Sequence, residues 1–134
     1  MLLRERFMEA LGQLGGEDWF KLGDRDLATH IERTRRLKVG QSLSAITQEF
    51  CACLGIRQTV APMTDDPVRT FVHTDEGRLP FQDYFVRRQC RPKVMQLEYA
   101  GAQSARPSDP FRRALAAADL RAIVICPSNP FLSV

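Results

Sequence analysis

"LRAIVICPSNP", residues 120–130, is the stretch that decides the fold class. Ile123, Val124 and Ile125 form a short β-branched run, and a Pro-Ser-Asn-Pro turn follows it. A run this uniformly apolar predicts a central parallel strand buried on both faces. The preceding "DPFRRALAAAD", 109–119, reads as a helix with Pro110 at an allowed early position. A helix leading into a buried strand that ends in a polar turn is the α/β arrangement in which ligands bind beyond strand carboxyl ends.

Working outward, helices dominate the first 55 residues. Leu2, Leu3, Phe7, Leu11 and Leu14 form one helical stripe, ended by Gly15 and Gly16. A second helix is expected from about Asp24 to Lys38, with Leu27, Ile31, Thr34 and Leu37 facing inward and Gly40 as its stop. A third follows Ser42, with Leu43, Ile46, Phe50 and Leu54 inward and Gly55 beyond its end. The pattern then changes. "IRQTVAPM", 56–63, reads as a strand ending near Pro62. "VRTFVHT" and "RLPFQDYF" alternate with period two around Asp75-Glu76-Gly77, which predicts a β-hairpin. "VMQLEYAG", 94–101, is a further strand. The expected fold is α/β, with helices on the N-terminal side and a mixed sheet that includes a hairpin.

The chain of 134 residues suffices for one domain and is too short for two ordinary ones. No apolar run approaches the roughly 20 residues of a membrane-spanning helix. Charges interrupt "MLLRERFMEAL", unlike a secretory signal. A cytoplasmic protein that does not bind membranes is expected. Its 19 basic and 16 acidic residues are too balanced for a nucleic-acid partner. Cys51, Cys53, Cys90 and Cys126 follow no zinc-site spacing, so reduced and mostly buried thiols are expected.

Three polar clusters stand out. At the start of the second helix lie Lys21, Asp24, Arg25 and Asp26, with Thr29 and His30 one turn on. Asp24 or its neighbour suits a cap and Asp26 suits the helix dipole, whereas Arg25 opposes it. A ligand site and a plain cap with a surface ion pair both fit this spacing. In "PMTDDPVRT", 62–70, Asp65 and Asp66 sit between prolines. Adjacent carboxylates repel, and a cation or Arg69 would relieve them. Mg²⁺ with substrate phosphate suits such a pair, and so does a turn whose Asp side chains bond to backbone. In "CPSNP", Ser128 and Asn129 offer hydroxyl, amide and backbone N–H groups, or form an ordinary turn. Trp19 reads as core and His73 as exposed.

"KLGDRDLATH", "PMTDDPVRT", "FQDYFVRR" and "PSNP", in this order, resemble the CofD family. Its members are the 2-phospho-L-lactate transferases of deazaflavin coenzyme F-420 biosynthesis. The resemblance implies a Rossmann-like transferase that moves a lactyl-phosphate or enolpyruvyl-phosphate group from a guanosine diphosphate conjugate to the deazaflavin Fo. GMP would leave and Mg²⁺ would assist. Lys21 matches the family position that contacts the deazaflavin. By residue type, Asp24 and Asp26 are the catalytic candidates that orient the attacking hydroxyl. Arg25, Thr64, Arg69, Ser128 and Asn129 are candidates for substrate binding, and Asp65 and Asp66 for the metal. A homodimer is left open. The family's glycine-rich "GGTG"-type start is missing and Cys126 stands where a glycine is usual. Residues 1–134 are therefore expected to form a single, incomplete CofD-like domain, inactive alone. The alternative is a non-catalytic CofD-like regulator that binds a nucleotide or sugar.

Overall fold

Three helices open the chain, as the periodicity predicts. The computed structural model describes residues 3–126. They are α1 (Leu3–Gln13), α2 (Asp24–Lys38) and α3 (Leu43–Cys53). Helices α2 and α3 end alike: the Gln41 N–H donates to the Arg36 carbonyl and the Ile56 N–H to the Cys51 carbonyl. Gly40 and Gly55 supply the left-handed residue, at φ 88° and 69°.

By contacts the chain divides into two compact units. The first comprises residues up to Ser42 together with Thr70–Glu98. Apart from Arg69, Tyr99 and Ala100, it holds the sheet, in the order β2 (Gly77–Pro80), β1 (Arg69–Thr74), β3 (Val94–Ala100). β1 and β2 are antiparallel, with Thr74 opposite Gly77 and His73 opposite Arg78, so the hairpin and the α/β class are borne out. The Thr74 hydroxyl donates to the Gly77 carbonyl and accepts from the Glu76 N–H, closing the turn from inside. Alternation along β1 sends Val72, with no exposed surface, and Thr74 to one face. On the other face three strands meet through side chains. Glu98 of β3 accepts two bonds of 2.9 Å from Arg78 of β2 and lies 2.6 Å from Nε2 of His73 on β1. His73 is thus half-buried and partnered, where the sequence suggested plain exposure.

The second unit comprises Leu43–Arg69 and the chain from Tyr99 onward. It holds α3 and α4 (Asp109–Leu115). Ser108 caps α4 by accepting from the Phe111 N–H, and Pro110 sits in the first turn as expected. Among its described residues the buried hydrophobic one is Ile46 on α3, 1% exposed.

Several expectations need correction. The second arm of the hairpin stops at Pro80, and Asp83–Arg87 form a π-helix. Phe81 and Phe85 stack there with centroids 5.6 Å apart, so an apparent alternation is helical spacing. Residues 56–63 form no strand. They lack a ladder partner among the described residues, and only Thr64 makes a single bridge, to Pro107. Residues 121–126 also form no strand, and Val124 and Ile125 are 80% and 86% exposed. A strand exists only when neighbours bond it, and none of the described strands does. Ile31 and Leu37 of α2 are exposed, because an apolar stripe marks a face without supplying its cover. The four cysteines are free thiols, yet none is buried: Cys53 and Cys126 are exposed, Cys51 and Cys90 partly so.

Glu98 gives the first unit a measurable acid response. Hydrogen bonds from Arg78 and then His73 lower its carboxyl from the ordinary 4.5 to about 2. A carboxyl lowered on folding stabilises the fold fully above its unfolded value and loses that contribution as pH falls through its folded value. Carbon-13 titration of the Glu98 carboxyl should therefore show a midpoint near 2, with the associated stability fading between about 4.5 and 2. Arg78→Ala should return the midpoint most of the way to 4.5.

Candidate functional site

The charged turn that opens α2 is built without a side-chain cap. Gly23 is the N-cap, with extended backbone at φ −67° and ψ 158°, so Asp24 does not take that place. Asp24 and Asp26 occupy the first turn, near the positive end of the helix dipole. Lys21, Asp24, Arg25 and Asp26 are all exposed. Among the described residues their side chains make no hydrogen bond or ion pair. The plain reading of a cap plus an ion pair is thus not what forms. Thr29 donates its hydroxyl proton to the Arg25 carbonyl at 2.9 Å, and Arg33 lies 2.6 Å from Nδ1 of His30. Farther along, Glu32 binds Arg35 and Arg36, which hold its carboxyl at about 2. Trp19 is half-buried with its indole N–H unpaired, and Arg87 stands 5.8 Å above its ring.

The acidic loop lies in the second unit and is tied down on both sides. Asp65 Oδ1 accepts the Ser44 N–H at 2.6 Å and Oδ2 accepts the Ser44 hydroxyl at 2.9 Å, which pins the loop to the start of α3. Asp66 Oδ2 accepts the Arg106 N–H at 2.7 Å. The Thr64 hydroxyl donates to the Arg106 carbonyl at 2.7 Å and accepts the Asp66 N–H at 3.0 Å. Ser108, 3% exposed, donates its N–H to the Met63 carbonyl and its hydroxyl to that of Pro62. The turn-type bonding expected of Asp in such a loop is present, and it spans far more chain than one turn. Asp65 and Asp66 border a cleft of about 410 Å³ with Arg106, Ser108, Asp109 and Arg112. Arg69, the first residue of β1, is exposed. Ser128 and Asn129 lie outside the described residues.

Comparison with known proteins follows from these motifs. The family model described as 2-phospho-L-lactate transferase CofD matches residues 1–134. The chain belongs to the CofD family. It is 38% identical over 120 residues to a 2-phospho-L-lactate transferase of Haloarcula marismortui, covering 90% of this chain and 35% of that protein. To the 2-phospho-L-lactate transferase of Methanosarcina mazei it is 37% identical over 126 residues, 94% of this chain and 41% of the relative. A phosphoenolpyruvate transferase of Streptomyces avermitilis is 40% identical over 123 residues, 89% of this chain and 38% of the relative. The CofD chain thus spans about 35–41% of the length of these curated relatives.

No group of three or more His, Cys, Asp or Glu able to enclose a metal occurs among the described residues. Two neighbouring carboxylates with accepting capacity left over fit Mg²⁺, which keeps most of its waters and adds phosphate oxygens from a ligand. No helix of the described residues is long and apolar enough to cross a membrane. Reading the sequence missed Arg106 and Ser108. A serine before Asp-Pro is a helix-start signature and marks Ser108, but no local signal marks Arg106, whose role comes from a partner 40 residues away.

Proposed function

We propose that this CofD chain takes part in transferring a 2-phospholactyl or enolpyruvyl-phosphate group from a guanosine diphosphate conjugate to the deazaflavin Fo. The product belongs to coenzyme F-420 biosynthesis, and GMP is released. The observation that carries this reading is the opening turn of α2, where the side chains of Asp24, Arg25 and Asp26, with Lys21 just before them, have no internal partner among the described residues. Charges without an internal partner are free to meet a ligand that brings its own polar groups.

In the reaction an Fo hydroxyl oxygen bonds to the distal phosphorus, the bond from that phosphorus to GMP breaks, and the hydroxyl proton passes to solvent. Such transfers ask a protein chiefly for positioning and charge stabilisation. Lys21 contacts the deazaflavin, and Asp24 or Asp26 orients the attacking hydroxyl. Arg25 and Arg69 are the candidates for neutralising diphosphate oxygens, and Ser128 and Asn129 for binding substrate. Asp65 and Asp66 hold Mg²⁺, which when bound neutralises phosphate charge.

Calorimetric titration with Fo tests the reading directly. Fo should bind, and Lys21→Ala should weaken it roughly tenfold or more, the range of a lost hydrogen bond to a charged group. Binding of GDP with no binding of Fo would sink the transferase reading in favour of a nucleotide-binding regulator.

A further inference from the structure

We propose that Thr64 is a positioning residue of the Asp65–Asp66 pair, which fixes the Asp66 carboxylate by clamping the loop to the backbone of Arg106. The inference rests on the proposed role of that acidic pair and assigns Thr64 a part other than direct substrate contact.

A hydroxyl has one proton and two lone pairs. The Thr64 proton goes to the Arg106 carbonyl, and one lone pair receives the Asp66 N–H. The hydroxyl therefore stands between the two segments with its only donor engaged. Asp66 completes the ring from the other side, since its carboxylate accepts the N–H of the same Arg106. Both backbone polar groups of Arg106 are thus held by the loop that carries the acidic pair. Asp65, next in the chain, is anchored independently by Ser44. Two successive carboxylates are in this way directed by separate anchors, Asp65 by α3 and Asp66 by residue 106. Groups that orient metal-binding carboxylates commonly change metal affinity by roughly 10–100-fold when removed, and Thr64 acts on the Asp66 carboxylate through its anchor, residue 106.

The test uses the chain with Thr64→Val, which removes the hydroxyl, and Thr64→Ser, which keeps it. Thr64→Ala replaces the valine variant if that one does not fold. Two readouts are taken: exchange of the Arg106 amide by NMR, and binding of Mn²⁺ in the presence of GDP by water-proton relaxation. Loss of the hydroxyl should speed Arg106 exchange roughly tenfold and weaken Mn²⁺–GDP binding roughly tenfold or more. Thr64→Ser should restore both. Unchanged exchange in the valine or alanine variant overturns the clamp. Faster exchange with unaltered Mn²⁺–GDP binding overturns the positioning role and leaves the proposed function standing. Absence of Mn²⁺–GDP binding in the unmutated chain overturns the proposed function and the positioning role with it.

Discussion

Gly101→Ala should destabilise the second unit by ~2 kcal/mol or more. Gly101 has φ 90°, and a Cβ placed on it would lie 2.5 Å from the carbonyl oxygen of Pro67. Two costs add. The left-handed backbone costs an alanine ~1 kcal/mol. The clash is with backbone, which cannot swing aside as a flexible side chain would. Gly40→Ala is the matched comparison: its φ is 88° and nothing lies within 4 Å of the added carbon. That variant should show the conformational cost alone. Thermal melts followed by circular dichroism should therefore separate the two, with Gly101→Ala lower by several degrees. Equal melting temperatures would mean that the 99–102 turn does not pack against Pro67.

Ile46→Ala is the second large effect, expected at ~2–5 kcal/mol. Ile46 is 1% exposed on α3, and few other residues share its burial. Among the described residues the buried hydrophobic ones are Ile46, Val72 and Tyr84, and of these Ile46 alone belongs to the second unit. A cavity there has few neighbours to share the loss. Ile31→Ala, on the exposed face of α2, should cost under ~0.5 kcal/mol. Urea unfolding of both variants checks the contrast, and a similar midpoint for the two would contradict the burial difference.

What the sequence made legible was local. Helices α1 to α3 and the hairpin turn were readable because periodicity and glycine stops act within a few residues, as at Gly40 and across Asp75-Glu76. The candidate residues were named from their motifs, and at the opening of α2 the charged side chains are exposed and without a partner among the described residues. The acidic pair was legible as a pair but not as an anchored loop, because its anchors Ser44 and Arg106 are 21 and 40 residues away. The run 121–125 misled for a related reason. Apolar β-branched composition reports what a segment would do once neighbours are present, and pairing partners are not written in the segment itself. Phe81 and Phe85 misled differently, since four-residue spacing satisfies both an alternating and a helical pattern.

The bonds that join residues 62–66 to 106–108 also constrain the order in which the chain closes. They bridge separations of 40 to 46 residues, and β1, β2, the π-helix and β3 lie between. Closing a flexible loop of that length costs roughly 3 kcal/mol in chain entropy, whereas one hydrogen bond returns only ~1 kcal/mol. No single bond of the set can close it from an open chain. The intervening stretch contains its own local route, because the β1–β2 turn needs only two residues to reverse direction. Once the hairpin and β3 have paired, the effective loop is short and the remaining bonds form at little further entropic cost. Local pairing in the sheet therefore precedes assembly of the acidic loop, and substitutions that slow the hairpin will delay the loop's closure without touching any of its residues.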